Sequence, residues 1–240
     1  PEFEEFDGYF VYHGERYNTV TLKDGRTWMA ENLRYVPKGR TVSSDPAEDA
    51  GIWYPASNAS KTADPALVAT KGLLYDSATA FGVSEVTEGN AASFEGCQGI
   101  CPDGWHIPTN AEVTGLVGKN SDSQFDNPSA PYFDTKENGA PIGSLNNDGF
   151  NWTFVGIRNK TSIAANPSYV ALEYNGEFGS MSYVMGSPLY KASYNKDTGA
   201  LTNIQYYSLM STYNASYSRI TVGYSGFLMG LSVRCIKDQE

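Results

Sequence analysis

The chain has 240 residues, 27 acidic and 17 basic, and carries a formal net charge of −10. That balance argues against nucleic acid and against anionic lipid, because both need clustered Lys and Arg. The length can bury a sizeable core, and the abundance of Tyr, Asn, Ser and Gly describes a polar, loop-rich β protein rather than a helical bundle or a disordered tail.

No run approaches the roughly 18 apolar residues of a membrane helix, and no signal peptide opens the chain. Pro1-Glu2-Phe3-Glu4-Glu5 reads as a processed or excised start. The N-terminal part reads as strands. Phe10-Val11-Tyr12 runs into a His13-Gly14-Glu15 turn, 17–22 alternates, and Asp24-Gly25 predicts a two-residue hairpin turn before a strand over 27–30. Residues 36–70 are rich in Pro, Ser, Ala, Asp and Asn without periodicity, which predicts a long surface excursion. A short helix is predicted over 75–81, with Tyr75, Ala78 and Phe81 on one face. Thr109 is an N-cap, Glu112 completes a capping box, and Val113, Leu116 and Val117 form the apolar side of a helix that Gly118 ends. Residues 120–148 are again turn-rich. Beyond Phe150 strands are predicted over 152–157, 169–174, 181–185, 204–211, 219–222 and 231–236. No composition break suggests a linker, so one domain is expected.

Three cysteines are too few for a disulfide-dense scaffold, and two histidines cannot supply a multi-His zinc site. In the last strand Leu231, Val233 and Cys235 share one face, with Ser232 and Arg234 on the other. Cys235 therefore points to the core, where it could meet Cys101. A reactive thiol is the competing reading, but no His is placed to activate one. Cys97 competes for Cys101 across a tight loop; the expected pair is Cys101–Cys235, with Cys97 free. The segment Cys101-Pro102-Asp103-Gly104-Trp105-His106-Ile107-Pro108 is the densest motif: a turn, an anchoring Trp and the approach to the Thr109 cap.

Four motifs then occur in order: Asp24-Gly25-Arg26-Thr27-Trp28-Met29-Ala30-Glu31-Asn32-Leu33, Gly72-Leu73-Leu74-Tyr75-Asp76-Ser77-Ala78, 99–109 around Cys101, and 230–238 around Cys235. In these the chain resembles the Fibrobacter succinogenes major paralogous domain family of bacterial surface and secreted proteins, found in Fibrobacter and Bacteroides relatives. The resemblance covers about residues 17–238, leaving 1–16 as an N-terminal extension or strand. It implies an α+β, C-type-lectin-like fold of short antiparallel strands, two short helices and long loops, with insertions at about 38–70 and 176–218. Trp28 and Trp105, inside these motifs, are expected in the core. The calcium-site triplets of sugar-binding C-type lectins are absent. The acidic stretches 45–49 and 122–126 lack the spacing of a calcium loop, so they read as solvated carboxylates. No cofactor is assigned, and calcium is left open without ligands.

The expected function is a non-catalytic binding or adhesion module at a bacterial cell surface or outside the cell, with a fimbria or pilus as one setting. Its expected partner is a glycan or protein ligand, with other surface-protein subunits beside it. It is not expected to be embedded in a membrane; an anchor would lie N-terminal to this sequence. One alternative is a carbohydrate-active or protein-modifying enzyme related to the formylglycine-generating enzymes. Those need a second cysteine near Cys235, and carboxylate pairs such as Glu173 and Glu177 are uninformative among so many acids. Another is an assembly domain of a surface polymer. Exposed Tyr beside Ser and Asn suits recognition at low entropic cost. Trp53, Tyr54, Tyr183, Tyr190, Tyr194, Tyr213 and Tyr217 all sit in such settings, where they either recognise a ligand or pack beneath loops. The expected site lies in 176–218: Tyr190, Tyr194, Asn195, Asp197, Tyr213 and Asn214, with Trp53 and Tyr54 next in line. Of the adjacent Tyr206 and Tyr207, one ring is expected to be exposed.

Overall fold

The computed structural model describes residues 2–56, 62–87, 89–160, 166–170, 173–174, 177–178, 183–194, 196–198, 201–213 and 218–239. Strands β1 (Phe3–Phe6), β2 (Tyr9–Tyr12), β3 (Glu15–Thr21) and β4 (Thr27–Met29) form an antiparallel meander. Tyr12 pairs with Glu15, so the β2–β3 turn is His13-Gly14, both at positive φ (49° and 84°). This mirror-image turn has the twist that a hairpin requires. The β3–β4 connection is one residue longer than predicted. The Leu22 N–H donates to the Arg26 carbonyl (3.0 Å), leaving Lys23, Asp24 and Gly25 as the loop, with Gly25 at φ 77° as its left-handed residue.

Next come β5 (Ile52–Trp53), α1 (Val68–Lys71), β6 (Leu74–Tyr75) and α2 (Ser77–Phe81). Tyr75 ends a strand rather than starting a helix. The Asp76 carboxylate accepts the Thr79 N–H (2.8 Å), which fixes α2 to begin at Ser77. After β7 (Trp105–His106), α3 (Asn110–Val117) carries the predicted Thr109–Glu112 capping box and ends at Gly118 with φ 77°. The turn-rich 120–148 stretch also holds β8 (Ala140–Pro141) and α4 (Ile142–Asn147), so the described chain has four α-helices where two were expected. Its two buried apolar residues, Ile142 and Leu145, are too few to announce a helix. The rest is strand: β9 (Ile157–Asn159), β10 (Ser168–Val170), β11 (Glu173–Tyr174), β12 (Glu177–Phe178), β13 (Tyr183–Tyr194), β14 (Leu201–Tyr213), β15 (Ser218–Gly226) and β16 (Ile236–Lys237). The last is shorter than predicted, because Leu231 bridges to Tyr75 and the chain rejoins a ladder only at Ile236.

The main sheet has the order β1-β2-β3-β4-β16-β7, and a second runs β13-β14-β15-β8. All pairs between these named strands are antiparallel, giving a mixed, mostly strand architecture. Two apolar clusters fill it. One gathers Phe10, Tyr17, Met29, Trp105, Leu231, Val233 and Cys235; the other gathers Trp28, Leu116, Leu145, Phe150, Leu209, Ile220 and Ile236. Neighbours in one strand divide between them: Trp28 from Met29, Cys235 from Ile236, and Tyr206 from Tyr207. Both tyrosines are therefore buried, at 2% and 5% exposure, because β14 is covered on both faces at this point. The expectation that one of them is exposed is corrected.

Three ties lock the frame. Cys101 and Cys235 form a disulfide across 134 residues, while Cys97 is free and half-buried, its thiol pushed up to about 11 by burial. In the chain-entropy model a loop of that length stabilises by about 5 kcal/mol. Arg234 is fully buried. Its Nε donates to Asn32 Oδ1 (2.7 Å), Nη1 to the Phe150 carbonyl and Nη2 to the Asn151 carbonyl (2.8 Å), with the guanidinium over the Phe150 ring. Asn32 Nδ2 donates in turn to the Lys71 carbonyl, Thr153 Oγ1 and Ser232 Oγ. His106 is the third tie: Nδ1 lies 2.5 Å from Asp238 and Nε2 2.9 Å from Glu112, which also pairs with Arg26 (2.7 Å).

Burial alone would lower the His106 pKa, but hydrogen bonds to Glu112 and Asp238 outweigh it and raise the pKa above its ordinary 6.5. Burial would likewise raise Glu112, but His106, the Thr109 N–H and Arg26 hold it below its ordinary 4.5. A raised basic group stabilises fully below its unfolded value and loses that contribution as pH rises through the folded one; a depressed acid does so in reverse. The cluster is thus fully effective between the two ordinary values, 4.5 and 6.5. We expect melting temperature to fall as pH rises above about 6.5, and His106→Gln to flatten that slope; parallel curves would show that the cluster is not linked to folding.

The Trp28 ring is fully buried edge-on to Phe150 (5.9 Å), and its Nε1 donates to Asp24 (3.0 Å). Trp28→Ala should destabilise by about 3–5 kcal/mol in denaturant unfolding. A loss below about 1 kcal/mol, as at a surface position, would contradict this packing.

Candidate functional site

A cleft of about 680 Å³ opens between the N-terminal hairpin and two frame segments, 34–38 and 98–103. The frame side is held from beneath. The buried Tyr17 hydroxyl accepts the Arg34 N–H (3.0 Å), and the fully buried Tyr75 hydroxyl donates to the Tyr35 carbonyl (2.8 Å). Arg34 is fully committed: it contacts Glu15 and Glu31 (3.3 Å each), donates to the Arg16 carbonyl (2.6 Å) and lies over the Tyr17 ring (4.4 Å). Its charge fixes Glu15 in the cleft wall instead of waiting for a ligand.

The rings form a slab. His13 lies parallel to Tyr35, centroids 4.1 Å apart and planes 6° apart, and Tyr12 leans on both at 4.4 and 4.9 Å. The His13 N–H donates to the Glu2 carbonyl (2.7 Å), so the start of the chain is pinned to the hairpin tip. Burial raises the pKa of Tyr12 and Tyr35, and raises Tyr17 to about 12, so all three stay protonated donors at neutral pH. On the far wall Gln98 Nε2 donates to the Cys101 carbonyl and to Asp103 (3.0 Å each). Lys38 is exposed and makes no ion pair among the described residues. Flat rings beside carboxylates, an amide and an ammonium can grip a molecule that has both apolar faces and hydroxyls.

The residues chosen from sequence fall elsewhere. Tyr190 and Tyr194 lie on β13, and Tyr213 at the far end of the 13-residue β14. Asp197 is exposed in the turn joining these strands; Asn195, Asn214 and Tyr217 lie outside the described residues. Tyr194 pairs near Leu201 whereas Tyr213 pairs with Ser218, so the structure brings Tyr190, Tyr194 and Asp197 towards one end of the hairpin and Tyr213 to the other. Trp53 takes the packing alternative: it is fully buried beneath Arg158 (4.2 Å), and its Nε1 donates to the Glu48 carbonyl (3.1 Å). Tyr54 is half-buried. The acidic stretches are committed as well. Asp49 pairs with Arg158 and Lys160, Asp122 caps a short 3₁₀ turn, and Asp126 pairs with Lys119. Among the described residues no three His, Cys, Asp or Glu are grouped to hold a metal. No described helix is long and apolar enough to cross a membrane.

The cleft escaped the sequence because its walls come from four separated segments. The one local signal was His13 before Gly14, in a turn position that favours Asn, Asp or Gly.

A family model described as Fibrobacter succinogenes major domain matches residues 24–237. No curated protein and no solved structure matches the chain. The match starts inside the β3–β4 loop, so β1, β2 and β3 precede it.

Tyr75→Phe removes the one hydroxyl that holds the Tyr35 carbonyl from below. It should cost about 1–2 kcal/mol of stability in urea unfolding, through an unsatisfied buried acceptor. An unchanged midpoint would show that Tyr35 is held by its neighbours alone.

Proposed function

The chain is a member of the Fibrobacter succinogenes major domain family, and on that footing we propose that it is a non-catalytic binding or adhesion module on a C-type-lectin-like frame, working outside a bacterial cell. One observation carries this reading: the slab of Tyr12, His13 and Tyr35 lines one open cleft together with Glu2, Gln98 and Asp103. A sugar ring has apolar faces that stack on such a slab and hydroxyls that reach carboxylates and amides. The disulfide supports an oxidising compartment. The Tyr-rich β13–β14 hairpin, with Tyr190, Tyr194 and Asp197, is a second proposed contact surface.

A glycan array probed with the purified protein should give reproducible ligands. Tyr35→Ala should weaken the best of them by about 1–3 kcal/mol, the scale of an anchor residue, with the melting curve preserved. A wild-type protein that binds no glycan on the array would refute the proposal.

A further inference from the structure

Resting on the reading of the cleft as a glycan site, we infer that the N-terminal hairpin sets its selectivity through His13, and that the preferred sugar is uncharged or amine-bearing rather than sulfated or carboxylated.

The first argument is the turn itself. His13 occupies the opening left-handed position, φ 49°, where a short polar residue or glycine fits with less strain. Its ring meets Tyr12 of the same hairpin (4.4 Å) but forms no hydrogen bond within the turn. Neither ring nitrogen has a hydrogen-bond partner among the described residues, and the imidazole leaves the hairpin to lie flat on Tyr35, at the edge of the cleft. A ring in an uncommon backbone conformation, aimed out of its own element and onto the lining of a cavity, is placed to meet a ligand.

The second argument is where the wall comes from. Tyr35, Lys38, Gln98 and Asp103 lie inside the family match, whereas Glu2, Tyr12, His13 and Glu15 precede it. One side of the cleft lies inside the family match and the other precedes it. Binding residues concentrate on loops and turns positioned by a rigid scaffold.

The third is charge. Arg34 is spent on Glu15 and Glu31, so Lys38 is the one lysine or arginine of the lining without an ion pair among the described residues, beside the carboxylates of Glu2 and Asp103 in the same lining, in a chain of net charge −10. A sulfate or carboxylate on the sugar meets repulsion there, while hydroxyls and amines meet acceptors.

The test titrates five probes: cellohexaose, chitohexaose, its deacetylated form, a heparin hexasaccharide and a hexagalacturonate. Wild type, His13→Asn and Tyr35→Ala are compared by calorimetry, with melting curves beside them. Asn suits the turn, so His13→Asn should melt at or above the wild-type temperature yet lose at least tenfold in affinity or reorder the probes. Unchanged affinity and order in His13→Asn would overturn the role of His13. Preference for heparin or galacturonate would overturn the ligand class. If wild type binds none of the five, or Tyr35→Ala binds as wild type does, the glycan reading of the cleft itself fails.

Discussion

A guanidinium that cannot reach water has to be satisfied from every side, and Arg234 imposes that constraint on the whole frame. Burial lowers its pKa to about 9, still high enough to keep the charge at neutral pH. Among the described residues no carboxylate forms an ion pair with it. Two backbone carbonyls and the Asn32 side chain hold it instead, and Asn151 takes a left-handed conformation (φ 53°) where its carbonyl meets the charge. Charge-assisted donors of this kind are stronger than neutral ones, but an unfilled partner leaves a buried charge uncompensated. The geometry is thus all or nothing. The segment after β4, the 150–153 turn and the approach to β16 must arrive together, with Asn32 passing the constraint on to Lys71.

That rigidity is what lets the cleft be built from loops. Tyr17 and Tyr75 reach up from the core to hold the backbone at Arg34 and Tyr35, and Arg34 holds Glu15. The hairpin is tied to the same frame: β3 pairs with β4, Phe10 of β2 is buried in the core, and Arg34 donates to the Arg16 carbonyl. The ring-on-ring contact of His13 with Tyr35 adds to that ladder at the rim of the cleft.

What the sequence made legible followed from local chemistry. The Thr109–Glu112 capping box fixed α3, and the alternation of Leu231, Val233 and Cys235 pointed the last cysteine to its partner. The same alternation put Arg234 on the side away from that core, which was right about direction. It missed that a second core waits there, because periodicity reports a face and says nothing of what covers it. Tyr206 and Tyr207 were misjudged on the same ground: alternation placed their rings on opposite faces, but both faces of β14 are covered there. The cleft was illegible because residues 2, 12–15, 34–38 and 98–103 meet only through long-range strand pairing and the disulfide.

The pairing of Cys101 with Cys235 has a mechanical side. Glu5 and Lys237 form an ion pair at 2.8 Å, so the beginning and end of the described chain lie side by side. Unravelling from the C-terminal end runs only as far as Cys235, where the bridge transfers the load to Cys101. The 134-residue span between them, roughly 450 Å of fully extended chain, is withheld from stretching. The disulfide works as a hard stop for the part it encloses: α3, the second sheet and most of the buried Arg234 network lie inside the protected loop, while the strands and helices before Cys101 lie outside it.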